Sequence, residues 1–492
     1  MNRSCVSAVL RTLCFTACYL ISATASLGAP PVLRWSPSAT NIWNATATNW
    51  LNDSGSPVAW QPGAEAHFEG AGGLVNVAGD LVVSNITFSG NGYALLGSGR
   101  LLAEGTLAAA AATTNSVAAS LTTVSGLSKT GAGALALARC SGPLAVQAGA
   151  LLASGSTFAD ADLSVASGAT LITLGDPDAA SNLIANPSFE TSALAAGAWA
   201  YVSTGANIAN WTVTAYADHI GLQNTAAAGS PWNSQGTSPD GSQMMIIQYD
   251  GAVQQTFTVP ADGVYSLAFS YLLRNGFGET LLYISLDGLP LATLLNQCAE
   301  SSPGRFASGA LYLKAGSHTL AFQGEGHWGD LSTMVDAVCF STPSSANAGR
   351  ALGGDSVLRA VTGASVVLNH SGALALSKVT LNGTAASGTF TSSHASLIFS
   401  GSGSLSCTHP EYVFEGKGLP GDWSSASLWA DGSAPAAGGG QNLRIFFPSA
   451  AATAVTNGLS GQFLSNRLGA TGVASNQTFT LAGNAIALTN DA

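Results

Sequence analysis

The segment "GLSKTGAGALALARCSGPLAVQAGALLA", Gly126 to Ala153, holds two cationic side chains, Lys129 and Arg139, no acidic one, and a glycine at nearly every bend. Its aliphatic residues alternate with small ones, and a period of two sends successive side chains to opposite faces of an extended strand. Such a segment offers neither a helical stripe nor a charged surface nor a plausible active site. What remains is short strands with tight corners, stacked on neighbours of the same kind.

The same alternation fills the chain: "DLVVSNITFSG", "QQTFTVPADGVYSLAFSYLL", "HTLAFQG" and "ASLIFSGSGSLSC" lie between glycine-rich turns. The fold class is therefore all-β. The alanine-rich "GTLAAAAATTNSVAASL" has helical propensity, but its Thr, Val and Gly neighbours favour strand and turn. At 492 residues the chain is long enough for several domains. Only 8% of residues are charged, against about a quarter in an ordinary soluble domain, which leaves few groups for acid-base chemistry. A net charge of −11 and a pI near 4.9 argue against nucleic acid as a partner, since that affinity comes from clustered Lys and Arg. After the N-terminus no apolar run reaches the roughly eighteen residues of a membrane helix.

The N-terminus reads as an export signal. Arg3 and Arg11 supply positive charge, "TLCFTACYLISATA" the apolar stretch, and Ala23-Thr24-Ala25 a small-x-small cleavage site, placing the signal at 1–25. The competing reading, a lipid attachment at Cys18 after "FTAC", has an apolar run that is short and broken by Arg11. The expected location is extracellular or at the cell surface. Cleavage leaves Cys140, Cys298, Cys339 and Cys407. Cys298 and Cys339 fall in one domain, where a bridge and buried free thiols both stay open; no C-x-x-C pair points to zinc.

Self-comparison divides the chain further. "NIWNATATNWLNDSGSPVAWQPGAEAHFEG" from Asn41 has a partner in "GDWSSASLWADGSAPAAGGGQNLRIFFPS" from Gly421: two tryptophans each (Trp43 and Trp50; Trp423 and Trp429), a Gly/Pro turn, then an alternating strand. Shorter echoes are "LSVASGATLITLG" at Leu163 and "LRAVTGASVVLNHSG" at Leu358. Between these echoes the texture changes and most remaining Trp and Tyr residues appear. The expected organisation is a solenoid region at 33–180, a globular domain at 181–341, further solenoid rungs at 342–412 and a second Trp-led unit at 413–492. That last unit looks incomplete, since a solenoid end needs a cap.

Leu127, Lys129, Gly131, Gly133, Leu135 and Leu137, followed by Val146, Gly149 and Leu151, resemble the autotransporter-associated β-strand repeat. The resemblance implies a parallel β-helix, and the paired-Trp opening agrees with it. The chain departs from that family in ending at "LTNDA", without an aromatic-ended membrane barrel. "SNLIANPSFET" at Ser181, then "PDGSQMMIIQYDGAVQQTFTVPADGVYSLAFSYLLRNG", "LLYISLDGLPLATL" and "LKAGSHTLAFQGEGHWGDLSTMVDAVCF", resemble galactose-binding-like jelly-roll domains, a family with many carbohydrate-binding modules. This implies an antiparallel β-sandwich inserted into the solenoid. It also implies that Glu190 and Asp336 hold a structural calcium, with hydrogen-bonded strand-end carboxylates as the alternative.

Sugar recognition needs flat aromatic surface and planar polar groups. Trp232, in "AAAGSPWNSQGTSPDG", and Trp328, in "GEGHWGD", are the candidate platforms; Asn233, Arg274, Asn275, His327 and Asp330 are the candidate hydrogen-bonding partners. The plainer reading has Trp328 packed on the sandwich edge and Arg274 paired with Asp330 to pin a loop. Trp211 and Tyr271 sit in strand contexts and read as core.

Two motifs mislead. "GEGHWG" fits G-x-G-x-x-G, but a strand rather than a helix is expected after it. "GDSVL" at Gly354 is like an esterase nucleophile block but lies in a solenoid rung without an acid-His partner, so Ser356 reads as structural. Glu325, His327 and Asp330 form the nearest acid-base cluster, without the opposed carboxylates of a glycosidase. The expectation is thus a non-enzymatic exported protein, a solenoid stalk presenting a jelly roll that binds a glycan. Against it stand a purely structural adhesin or surface-layer component, associating through solenoid ends, and a polysaccharide-degrading enzyme.

Overall fold

The computed structural model describes residues 29–36, 40–155, 162–232, 238–274, 277–298, 302–325, 330–354 and 356–407, with short pieces between 412 and 488. Residues 1–25, read above as an export signal, lie outside them. Among the described residues there is no α-helix, only strands and two single 3-10 turns, Ala179–Ser181 and Val202–Thr204. The chain is all-β, with parallel solenoid sheets and an antiparallel sandwich.

Between Glu65 and Ser141 each solenoid rung gives one short strand to each of three parallel sheets, and the rungs at 143–153 and 162–174 give strands to two of them. Arg100–Ala103, Thr106–Ala109 and Thr114–Val117 form one rung; Ser120–Thr122, Leu127–Thr130 and Ala134–Leu137 form the next. Equivalent positions pair, so Leu121 lies on Leu101 and Leu101 on Leu81, while Leu151 lies on Leu135. These leucines are buried, each worth about 1.5–3 kcal/mol relative to exposure. The corner "TGAG" needs its glycines. Gly131 has φ 73°, and a Cβ at Gly131 or Gly133 would run into the carbonyl oxygen of Ala109 or Ala110 in the preceding rung. The alanine-rich segment forms strands Thr106–Ala109 and Thr114–Val117, as its neighbours indicated.

Aromatic rings close the first rung. Trp43 packs edge-to-face on Trp50 and Trp60 at 5.0 and 4.9 Å, and Phe68 reaches Trp35, Trp43 and Trp50. Trp50–Leu51 pairs antiparallel with Val32–Trp35, turning the chain across the end of the ladder. The second Trp-led unit repeats the plan. Tyr412–Val413, Arg444–Phe447 and Arg467–Ala470 pair in parallel, as do Gly421–Asp422, Ala454–Asn457 and Thr480–Gly483, and as do Phe463–Ser465 with Ile486–Leu488. Trp423 and Trp429 are buried beside one another, and the Trp429 indole N–H donates to the Trp423 carbonyl at 2.9 Å.

The solenoid continues across the insertion as if nothing intervened. Asp162–Val165 pairs in parallel with Val357–Ala360 and Thr170–Leu174 with Ser365–Asn369, setting Leu163 on Leu358 and Leu171 on Val366. The outgoing and returning chains are bridged at Gly175 with Gly349 and Pro177 with Pro343. The Asp176 carboxylate meets Arg350 at 3.2 Å and Arg305 at 3.6 Å.

Between these points lie two antiparallel sheets. One runs Trp199–Tyr201, Ile220–Asn224, Gln243–Gln248, Ser332–Ser341, Gly263–Leu273, Gly304–Ala307; the other runs Thr212–Ala215, Ala252–Val259, Gly316–Gly324, Thr280–Leu286, Leu289–Asn296. Trp211, Phe269, Phe322 and Phe340 fill the space between them. The sandwich is seated against the solenoid. Tyr312 N–H donates to Ser116 Oγ at 2.9 Å, Asn91 Nδ2 donates to Tyr312 Oη at 3.1 Å, and a Cβ on Gly309 would collide with Ala138. This explains why Ala94, Leu96, Ser116, Ala118, Ala136 and Ala138, on the outward side of their sheet, are buried.

Cys140, Cys298, Cys339 and Cys407 are all free thiols, so the Cys298–Cys339 bridge does not form. Cys339 sits in the middle of a strand, opposite Ala268, and Cys298 lies toward Tyr271 and Gly304. Burial pushes the Cys140 thiol up to about 12.

His318, at the solenoid end of the sandwich, has Nδ1 2.7 Å from Asp287 Oδ2 and Nε2 2.9 Å from the Lys314 carbonyl. Both partners accept, so the ring satisfies both only when protonated, and the Asp287 bond raises its pKa above 6.5 against the cost of burial. A raised histidine pKa gives stability that is complete below the unfolded value and is lost as pH rises through the folded one. Thermal unfolding of wild type should therefore weaken above pH 6.5 relative to His318→Gln; parallel pH profiles for the two proteins would refute this.

Candidate functional site

The strand Gly263–Leu273 has 11 residues and spans about 35 Å. Its first residues pair with Leu311–Leu313, which abuts the solenoid, so its far end carries the loops most distant from the solenoid. The described residues there are 202–211, 216–219, 249–251, 274, 277–279, 325 and 330–331.

Asp330 organises part of this end. Its Oδ1 accepts from Gln248 Nε2 at 2.7 Å and Tyr249 Oη at 3.1 Å, and its Oδ2 lies 3.2 Å from Arg274 Nη1. Gln248 in turn accepts from the Tyr201 hydroxyl. Burial pushes the Tyr201 phenol up to about 12. The Arg274 guanidinium is sandwiched between Trp232, at 4.9 Å, and Phe277, at 4.3 Å. Arg274 and Asp330 are thus brought together, but they face one another and pin the loop, the plainer of the two sequence readings.

Trp232 does not offer a platform. It is 2% exposed, packed on Met244, Ile246, Leu272 and Met334, and its Nε1 donates to Ser332 Oγ at 3.2 Å. Both faces of its ring are covered, with Trp199 and Tyr201 edge-on at 4.6 and 5.6 Å. The expectation of an exposed Trp232 is corrected accordingly. Asn233, Asn275, His327 and Trp328 lie outside the described residues. Trp211 is core, as read, against Phe189 and Phe322. Ser356 is fully buried with its Oγ accepting from Gly353 N–H, a structural role.

The exposed aromatics at this end are others. Trp199 is 42% exposed on an edge strand, and Tyr216 is 55% exposed. Tyr216 has φ 50°, a left-handed conformation uncommon for a bulky residue. Its ring stacks on His219 at 5.2 Å and 25°, and the Tyr249 ring lies 4.9 Å from the imidazole, tilted by 60°. His219 Nδ1 is held by Asp250 Oδ1 at 3.0 Å. Beside Tyr216 opens a groove of about 480 Å³, with Val202, Ile208 and Trp211 at its base and Asn207, Thr214 and Tyr216 at its rim. No charged side chain among the described residues lines it. Sequence reasoning missed this group because it sought tryptophans in glycine-rich loops; the signal was "TAYADHI", an aromatic at the end of an alternating strand followed by a polar turn.

Glu190 and Asp336, the two carboxylates expected to hold calcium, accept hydrogen bonds in the structure, the alternative reading of the sequence. Glu190 Oε1 accepts from the Ser242 and Gln243 amides at 2.7 and 2.6 Å. Asp336 Oδ2 accepts from Ser238 Oγ and the Asp240 amide, both at 2.9 Å, and Oδ1 from Ala337 N–H at 2.7 Å. Amide and hydroxyl donors engage both carboxylates, and together they fasten the 238–243 loop. Gly241 has φ 73°, and a Cβ there would strike Glu190. Burial pushes the Asp336 carboxyl up to about 7 despite its three hydrogen bonds. Among the described residues no group of three His, Cys, Asp or Glu side chains is placed to hold a metal.

No protein-family model matches the sequence, and no curated protein matches it. Among solved structures the chain is similar to TmCBM61 in complex with beta-1,4-galactotriose (16% identity, TM-score 0.24, 33% of this chain and 98% of that one). It is also similar to a family 35 carbohydrate-binding module from Clostridium thermocellum (16%, 0.20, 27% and 99%). A third is a Stig cyclase from Fischerella sp. TAU bound to a pyrrolidinylidene-indole (14%, 0.26, 32% and 96%). Each likeness covers no more than about a third of the chain, and scores this low carry no argument about ligand.

Because N–H donors occupy Glu190 and Asp336, EGTA should leave the thermal unfolding temperature unchanged. A clear drop, reversed by added calcium, would restore the cation.

Proposed function

We propose that this is an exported, non-catalytic protein whose solenoid serves as a stalk and whose inserted sandwich binds a neutral carbohydrate at the loop end away from the stalk. The observation that carries the reading is the uncharged groove with Tyr216 on its rim and Trp211 in its base. A pyranose offers an apolar C–H face and a ring of hydroxyls; Tyr216 suits the first, and Asn207 and Thr214 suit the second. The absence of charge from the lining favours a neutral sugar over a uronate, whose carboxylate would need a cationic partner. The stack on His219 and Tyr249 holds the Tyr216 ring in place before any ligand arrives, which lowers the ordering cost of binding.

A non-catalytic role accords with how three of the acids at this end are engaged: Asp330 with Gln248, Tyr249 and Arg274, Asp250 with His219, and Glu325 with the Leu281 amide at 3.2 Å.

On a glycan array the wild-type protein should retain a neutral glycan, and Tyr216→Ala should weaken retention about tenfold or more with the unfolding temperature nearly unchanged. Retention equal to wild type by Tyr216→Ala would reject the groove; no retention by wild type would reject carbohydrate binding itself. Release of reducing sugar from the retained glycan would reject the non-catalytic part.

A further inference from the structure

One inward ladder of the solenoid runs Ile86, Leu107, Lys129, Val146, Val165, Ala360, each paired with the next across parallel strands. Every member but one is aliphatic. Lys129 is fully buried, a rare state for lysine unless the charge is compensated. The compensation comes from the backbone. Lys129 Nζ donates to the carbonyls of Gly133 at 2.6 Å, Gly131 and Ala148 at 2.8 Å each, and Thr130 at 3.2 Å. Three of these oxygens belong to its own corner and the fourth to the next rung. No carboxylate takes part in these hydrogen bonds.

The corner creates the demand it satisfies. The twin glycines of "TGAG" let the turn lie tightly on Ala109 and Ala110 of the rung before, and Gly149, φ 64°, stacks closely beneath Gly131 and Gly133. That path turns several carbonyl oxygens toward one interior point. Each is destabilising if buried without a donor, and a single hydrogen-bonded pair would not serve them all. A compact cation with several N–H groups does. Burial lowers the Lys129 pKa to about 8, so the ammonium form still prevails at neutral pH.

We propose that this ring of four backbone carbonyls is a binding site for an ammonium-type monovalent cation, which the chain fills with its own lysine and which a free alkylammonium fills when the side chain is shortened. The site class is set by oxygen dipoles without a counter-charge, so it selects a singly charged N–H donor over a divalent metal. The lysine thereby ties two rungs through one atom, at the place where the glycine corner has no side chains with which to do so.

The test compares thermal unfolding of wild type, Lys129→Ala and Lys129→Met in n-propylammonium chloride and in tetramethylammonium chloride at equal concentration. n-Propylammonium replaces the atoms that the alanine variant lacks; tetramethylammonium carries the charge without an N–H. Both variants should unfold several degrees below wild type, and n-propylammonium should raise Lys129→Ala alone. Equal stability of Lys129→Met and wild type, or equal effects of the two salts on Lys129→Ala, would overturn the proposal. Should the variants not fold, 15N-lysine NMR of wild type decides: of Lys129, Lys314, Lys378 and Lys417, the Lys129 ammonium should exchange slowly with solvent, and rapid exchange of all four would overturn it.

Discussion

Register-matched parallel pairing between successive rungs is the constraint on which the rest of this structure depends. A rung of three short strands has almost nothing of its own: a few inward aliphatic side chains, corners of glycine, and backbone groups that only another rung can satisfy. Leu81, Leu101 and Leu121 stack because their strands are in step, and the corners close because Gly131 and Gly133 leave room for the carbonyls below. The ends of such a ladder are the costly places. Here the first rung is covered by Trp35, Trp43, Trp50 and Trp60, which supply in a few side chains the burial that a missing neighbour would have given.

The same pairing explains how a whole sandwich is accommodated. Because Leu163 lies on Leu358 and Leu171 on Val366, the chain leaves and returns at points that are already neighbours, and the insertion disturbs no ladder. The sandwich then uses the outer side of one solenoid sheet as a seat, where Ala118, Ala136 and Ala138 are small enough for strand Leu311–Leu313 and Gly309 to come close. This orientation holds the Tyr216 groove away from the solenoid.

Much of this was legible in the sequence, and the reasons are physical. Period-two alternation between glycines permits few folds, and the echo between "LSVASGATLITLG" and "LRAVTGASVVLNHSG" marks two rungs that prove to be in direct contact. The paired tryptophans of the two units likewise mark equivalent positions. Other features depend on what comes to lie over a residue, which a linear pattern does not encode. Trp232 stands in a Gly, Ser and Pro-rich loop that reads as exposed, yet that loop folds down so that its ring covers Met244, Ile246 and Met334. Tyr216 reads as the end of a strand, yet a left-handed turn lays it over His219 with its other face free. Lys129 matches a repeat position, but its burial follows only from the inward carbonyls of a corner whose path the sequence does not specify.

Rungs separated in sequence by the entire insertion are immediate neighbours in the ladder. The most direct measurement is disulfide formation in a Ser164→Cys/Arg359→Cys variant, since these residues are paired across the parallel strands that flank the sandwich and lie within the reach of a disulfide. Mild oxidation should give an intrachain cross-link in the folded protein, absent in either single variant, with little change in the unfolding temperature. Failure to cross-link, or cross-linking only between molecules, would contradict a continuous ladder and with it the placement of everything mounted on it.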